Sequence, residues 1–315
     1  MQSYLLILLA GTALIGFGLY RRWRKKKDLR QYFKDNWGKT KTKFYNWEQI
    51  RCYHRYMKPF AANYQIDDDT WDDLNLDEIF NTIDHTVTPV GQQILFDILR
   101  SPLFDVEELE KRKKFLEIFR DDNFRIDLQC KLNELSSSQV ERLPHLLFNN
   151  LPQIPRWYNA IFIVPVLGLS CIILGFINPI FFIGLGIIPV MNMVIQYIVS
   201  KRVKRYTLAL SGISPLINQT EAICKLDSNY QNPLGPLGDS LQRQSKKLST
   251  LKRRVHTYLH DGNHDSMGGL LWDYLNLFLL IKINMFTLSI KSIAQNKPHL
   301  KKLYRNVGYL DAMLA

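Results

Sequence analysis

The sequence predicts a mainly α-helical protein: three membrane-crossing helices and an all-helical core on one side of the bilayer. Three observations carry that expectation. Two uncharged apolar blocks are each followed at once by a basic cluster. Apolar residues in the remaining chain recur at helical spacing. Thr-Pro, Asn-Pro and Asp signals stand where helices should begin or turn.

Ser3 to Tyr20, SYLLILLAGTALIGFGLY, is eighteen residues without a charge, about the length that spans a bilayer core. RRWRKKK follows from Arg21 to Lys27, six cations in seven positions. The positive charge comes after the apolar run and no A-x-A site stands between them, which predicts a retained anchor rather than a cleaved signal peptide. The second block, Trp157 to Ser200, has 44 residues without Asp, Glu, Lys or Arg. At 1.5 Å per residue that is about 66 Å of helix, close to two crossings. Asn178-Pro179 near its middle predicts the turn, and Pro165 and Pro189 are expected to kink the helices without ending them. KRVKR, Lys201 to Arg205, closes the block. With both basic clusters inside, the N-terminus lies outside, residues 21 to about 157 inside, the hairpin tip outside, and 201 to 315 inside. The net charge of +12, from 41 Lys and Arg against 29 Asp and Glu, is thus largely accounted for by topology. Arg21, Arg22, Arg24 and Lys25 are candidate contacts for anionic head groups. The four cysteines are scattered, with no CxxC, and are expected to be free thiols.

The organisation that follows is a crossing helix at 3–20, a basic aromatic juxtamembrane linker at 21–66, the first part of a helical core at 67–156, a membrane hairpin at 157–200, and a helical region at 201–315 that returns to the core. Residues 28 to 66 read as an amphipathic helix rich in aromatics. DDDTWDDLNLDE, Asp67 to Glu78, reads as a solvated loop, lacking the Gly and closing Glu of a calcium loop. Thr88-Pro89 is a helix start, a hydroxyl N-cap followed by Pro at the first helical position. Val90, Ile94 and Ile98, widened by Leu95 and Leu99, form its buried stripe. Gly91 implies close approach of another backbone. The helix stops before Pro102. Asp105 with Glu108 forms a variant capping box for a second helix, with Val106, Leu109, Leu116 and Phe119 expected on its buried side. Leu241, Leu248, Leu251 and Val255 form the dry face of a later helix. Its wet face carries Arg243, Lys246, Lys247, Lys252, Arg253 and Arg254, a candidate phosphate-binding stretch. LLWDYLNLFLLIKINMFTLSI, from Leu270, reads as one long core helix rather than a fourth crossing, because Asp273 and Lys282 are expensive in a bilayer. His256, His260 and His264, with Asp261 and Asp265 beside them, are expected in a loop between helices rather than on a metal.

LDEIFNTIDHTVTPVGQQILFDILRSPLFDVEELEKRKKFLEIF resembles the start of the core domain of the DNA mismatch repair protein MutS and its relatives. The elements that carry the resemblance are Asp84, Thr86, Thr88, Gly91, Pro102, Leu103 and Arg112. LYRNVGYLDAMLA, Leu303 to Ala315, resembles the helix that returns to that core, with Gly308 and Asp311 in its G-x-L-D-A signature. The resemblance is strongest over residues 74 to about 120. It implies a membrane-anchored MutS-like protein of the bacterial cytoplasmic membrane, whose core helices relay nucleotide state to DNA or a membrane partner. The alternative is a membrane-bound helical scaffold for protein contacts. No G-x-x-x-x-G-K-[ST] occurs, so ATP and Mg are expected only with an ATPase domain following residue 315, and no catalytic, cofactor-binding or metal residue is assigned. Membrane lipid, a second copy of the chain and DNA are the candidate partners; no small-molecule substrate is evident.

Overall fold

The structure is a computed structural model; it describes residues 2–39, 45–60, 64–136, 138–151, 163–259 and 267–315, with backbone alone for a few stretches, among them 2–15. No strand occurs among the described residues. The first helix, α1 (Gln2–Asp35), carries the apolar run and RRWRKKK without a break. The expected helix over 28–66 is two: the chain leaves α1 near Trp37, passes Gly38 at a φ of 71°, and re-enters at α2 (Trp47–Met57), capped by Asn46.

The acidic stretch folds rather than standing as a loop. It forms α3 (Asp68–Asp73), capped by Asp67, and α4 (Leu76–Ile83). The reason is Trp71, completely buried among Phe96 and the Arg100 guanidinium, which lies 4.3 Å above its ring. The acids face water while one aromatic anchors the segment.

Next come α5 (Pro89–Arg100) and α6 (Val106–Leu116). Thr88 caps α5 through the Gly91 amide at 2.9 Å. Asp105 caps α6 through the Glu107 amide, but Glu108 turns to Lys111 instead of closing a capping box. The predicted buried side of α6 is also corrected. Val106 is 71% exposed and Leu109 and Leu116 are each 43% exposed, and only Phe119 beyond the helix end is buried.

The chain continues through α7 (Asp122–Leu132), α8 (Ser138–Glu141) and α9 (Leu143–Leu147) to the apolar hairpin, α10 (Ile163–Gly175) and α11 (Phe182–Ser211). These two pack on each other across the predicted turn, where Asn178 Oδ1 accepts from the Ile180 amide at 3.1 Å. Among the described residues one helical stretch, Pro179–Val199, is long and apolar enough to cross a bilayer. Val166–Gly175 is shorter. The sequence expectation was three crossings; the start of its hairpin at Trp157 lies outside the described residues.

α12 (Ile213–Asn229), α13 (Pro236–Lys247) and α14 (Ser249–Leu259) follow, with Leu241, Leu248, Leu251 and Val255 buried as a dry face. His256 lies on α14 rather than in a loop, and His260, His264, Asp261 and Asp265 lie outside the described residues. The apolar run from Leu270 is broken rather than continuous: α15 (Met267–Leu279) and α16 (Ile281–Ala312) meet at 67° at Leu280, which has a φ of 49°. The break is held by the hairpin. Asn192, fully buried on α11, donates to the carbonyls of Leu277 and Phe278, and Gln196 donates to that of Asn276. These bonds satisfy carbonyls freed at the end of α15. α15 therefore packs on the hairpin, while α16 runs along α14 and α5.

Candidate functional site

The core is closed by two segments more than two hundred residues apart. The turn 84–88 ends in the N-cap of α5, and the last two turns of α16 lie across it. Asp311 is fully buried. Its Oδ1 accepts from the Val87 amide at 2.9 Å, and its Oδ2 accepts from the Thr88 amide at 2.7 Å and the Thr88 hydroxyl at 2.6 Å. The same hydroxyl accepts from Gly91, so Thr88 links the α16 carboxylate to the α5 cap. Burial pushes the Asp311 carboxyl up to about 6; the bonds to Thr88 and Val87 oppose the shift and the nearby Asp84 charge adds to it.

Asp84 stands behind this joint, also fully buried. It accepts from the Thr86 amide at 3.0 Å and the Thr86 hydroxyl through Oδ1, and from Gln92 Nε2 at 2.9 Å through Oδ2. The turn is thereby folded on itself before α16 meets it. Both glycines are explained by contact. A Cβ on Gly91 would lie 2.5 Å from Asp311 Cγ, so the approach it permits is by a carboxylate side chain rather than by backbone. A Cβ on Gly308 would lie 3.0 Å from the Val90 carbonyl oxygen and would collide with Ile94. Asp84, Thr86, Thr88, Gly91, Gly308 and Asp311 thus form one joint between α5 and α16.

Pro102, Leu103 and Arg112 stand apart from it. Pro102 is half-buried just past α5. Leu103 and Arg112 line a cavity of about 430 Å³ with Phe115, Leu234, Leu237 and Tyr309. Tyr309 is the connection, since it sits between Gly308 and Leu310 on α16 and meets the Phe115 ring at 5.8 Å.

The basic candidates divide in two. Arg21, Arg22, Arg24 and Lys25 are all exposed on α1, and Arg22 and Lys25 line a groove against α7 and α12. Lys246 lines a neighbouring cavity of about 470 Å³ between α12 and α13, while Lys247 and Arg253 are exposed and Arg254 is half-buried. Lys225 and Asn229 of α12 border both hollows.

Several contributors were not legible at the outset. Gln93 accepts from the Tyr304 hydroxyl and donates to the Glu141 carbonyl at 3.2 Å. His54 pairs with Asp97 at 2.8 Å, tying α2 to α5. Gln93 sits among apolar residues of α5, and a buried polar residue in such a stripe is the one signal that could have marked it.

The sequence has no P-loop, and no group of three or more His, Cys, Asp or Glu suited to a metal occurs among the described residues. Comparison with known proteins gives one family: the model for MutS domain III matches residues 65–315. The match runs through the apolar hairpin, beyond the stretch where the sequence resemblance was strongest. No curated protein and no solved structure matches.

Proposed function

The chain belongs to the MutS domain III family, whose model covers residues 65–315, and from that premise we propose that it is the membrane-anchored helical core of a MutS-like protein, relaying nucleotide state to a membrane or DNA partner. The observation that carries this reading is the Asp311 joint. Three hydrogen bonds and two glycine contacts leave no slack between α5 and α16, so a displacement of one helix is passed to the other. At its other end α16 meets the break at Leu280, which Asn192 and Gln196 of the apolar hairpin hold. The distance along the helix from Ile281 to Asp311 is about 45 Å. A stiff element that couples two discrete arrangements needs this kind of connection.

Anchoring is supported by exposed apolar surface on the hairpin, including Phe176 at 84% and Ile177 at 78%, a patch expensive in water and at home in lipid. It is supported too by cations stacked on aromatics where the apolar runs end, Lys27 over Trp23 and Lys201 over Tyr197, the composition of a membrane–water interface. The proposed setting is the bacterial cytoplasmic membrane with three crossings, the N-terminus outside and the core inside. ATP and Mg would act in a separate ATPase domain. DNA is a partner on family grounds, with Lys246, Lys247, Arg253 and Arg254 as the cations it would meet.

A second reading is a scaffold that binds protein, including a second copy of the chain. It is favoured by exposed apolar residues at the start of α6, where Val106 and Phe104, just before the helix, are 71% and 72% exposed. Hydrogen exchange of the full-length gene product in lipid, with and without Mg·ATP, separates the two. A relay predicts changed protection in residues 84–96 and 303–312 together. Identical protection in both states leaves the scaffold.

A further inference from the structure

Between the juxtamembrane end of α1 and the soluble helices α7 and α12 lies a groove of about 800 Å³ lined by Arg22, Lys25, Lys26, Leu29, Lys131 and Lys225. We infer that this groove holds the phosphoryl head group of an anionic phospholipid, an inference that rests on the membrane-anchored reading above. The α1 residues at 22, 25, 26 and 29 are spaced i, i+3, i+4, i+7, so one face of the helix presents three cations and then an apolar residue. Across the groove, Lys131 and Lys225 add two more.

The acids present do not cancel this charge. The groove has five cations against two carboxylates. Asp127 is already held by Arg30 and by the Tyr230 hydroxyl at 2.9 Å. Glu134 is held by Lys131 at 3.7 Å and by Gln219, so it offsets one of the five cations and leaves the groove with a net positive charge. The groove is also built in advance of any ligand. Phe33 on α1 packs with Ile126 and Cys130 of α7, with Leu29 against them, and the Arg30–Asp127 pair fixes the same crossing. A preformed cationic hollow binds an anion without first having to order its own walls.

Depth selects a lipid over a soluble phosphate. Arg22 to Lys26 lie two to six residues beyond Tyr20, the end of the apolar run, which is about 3–9 Å further along the helix. The head-group layer on each side of the hydrocarbon core is about 5–8 Å thick. Trp23, 59% exposed and in contact with Tyr20, marks the same level as interfacial. The groove therefore opens where lipid phosphates are concentrated.

The test is native mass spectrometry of the full chain in detergent, titrated with phosphatidylglycerol or phosphatidylcholine. Preferential retention of phosphatidylglycerol is expected. Lys25→Gln with Lys26→Gln should weaken it about thirtyfold, from the usual attraction per juxtamembrane cation. Lys113→Gln with Lys114→Gln removes the same charge from exposed positions on α6, outside the groove, and should change it by under about threefold. Equal losses in both double variants, or equal retention of the two lipids, would overturn the site. So would displacement of phosphatidylglycerol by excess inorganic phosphate, which would make the ligand a soluble one. Flotation with pure phosphatidylcholine vesicles separates the premises. A chain that floats but shows no lipid preference loses only the head-group site; one that does not float loses the anchor and the site with it.

Discussion

Replacing Asp311 by Asn tests the joint with the least change of shape. The side chain is fully buried and faces three donors: the Val87 amide, the Thr88 amide and the Thr88 hydroxyl. Asn keeps one acceptor oxygen for Val87 but sets an amide nitrogen against the Thr88 N–H. The Thr88 hydroxyl can rotate to accept, whereas the Thr88 N–H cannot move. One buried donor is left without a partner, at a cost of about 1–3 kcal/mol. That weakens the closed joint by a factor of about 5 to 150. Asp311→Ala orphans all three donors and should cost about 3–6 kcal/mol, a large part of a typical domain's stability. Hydrogen exchange reads the effect locally, as faster exchange of the amides in 84–91 and 303–312 together. Asp105→Asn is the control. It makes the same chemical change at an exposed cap on Glu107, where Asn and Asp cap about equally well. Protection at Val87 and Thr88 that stays within about twofold of wild type in Asp311→Asn would refute the reasoning.

The same carboxyl gives a pH dependence. Its folded value, about 6, lies above the ordinary carboxyl value of 3.8, so the folded form binds the proton more tightly. This contribution is complete below about 3.8 and is lost as pH rises through about 6. Exchange at Val87 and Thr88, corrected for its intrinsic pH dependence, should therefore slow between pH 7 and 5 in wild type but not in Asp311→Asn. Gly308→Ala gains up to about 1 kcal/mol of helix propensity but overpacks Val90 and Ile94, at about 1–3 kcal/mol. A net loss is expected by denaturant titration in detergent, and a stabilised variant would show that α5 and α16 have room to part. Burial pushes the Cys52 thiol up to about 11, against an ordinary 9.0, which lowers its thiolate fraction at pH 8 by about a hundredfold. Iodoacetamide should label it far more slowly than a small free thiol, and labelling at the free-thiol rate would contradict its burial.

The sequence made the helical class legible because helix signals are local. Thr88, Pro89 and the stripe from Val90 to Leu95 lie within two turns of one another and need no distant partner to be read. The dry face of Leu241, Leu248, Leu251 and Val255 was legible for the same reason. The α6 stripe failed on that count. Apolar spacing shows that Val106, Leu109 and Leu116 share a face, but not that anything covers it. Trp71 failed in the opposite sense, since a single aromatic among acids has no period, and its burial depends on Phe96 and Arg100, both on α5. The break at Leu280 was equally hidden. No Gly or Pro marks it, and it persists because Asn192 and Gln196, more than eighty residues earlier, satisfy the freed carbonyls.

By itself the sequence determined the helices, their caps, the apolar blocks with their basic flanks, and two short motifs resembling one family's core. It could not place those motifs against each other, because hydrogen bonds between residues 87 and 311 leave no periodic trace along the chain. Tertiary structure decided that the buried Asp311 meets the amides at the start of α5, and that Gly91 and Gly308 are small because helices converge there. It also decided that Arg22, Lys25 and Lys26 face Lys131 and Lys225 across one groove. Each of these depends on desolvation and close approach, which exist only once distant segments have packed.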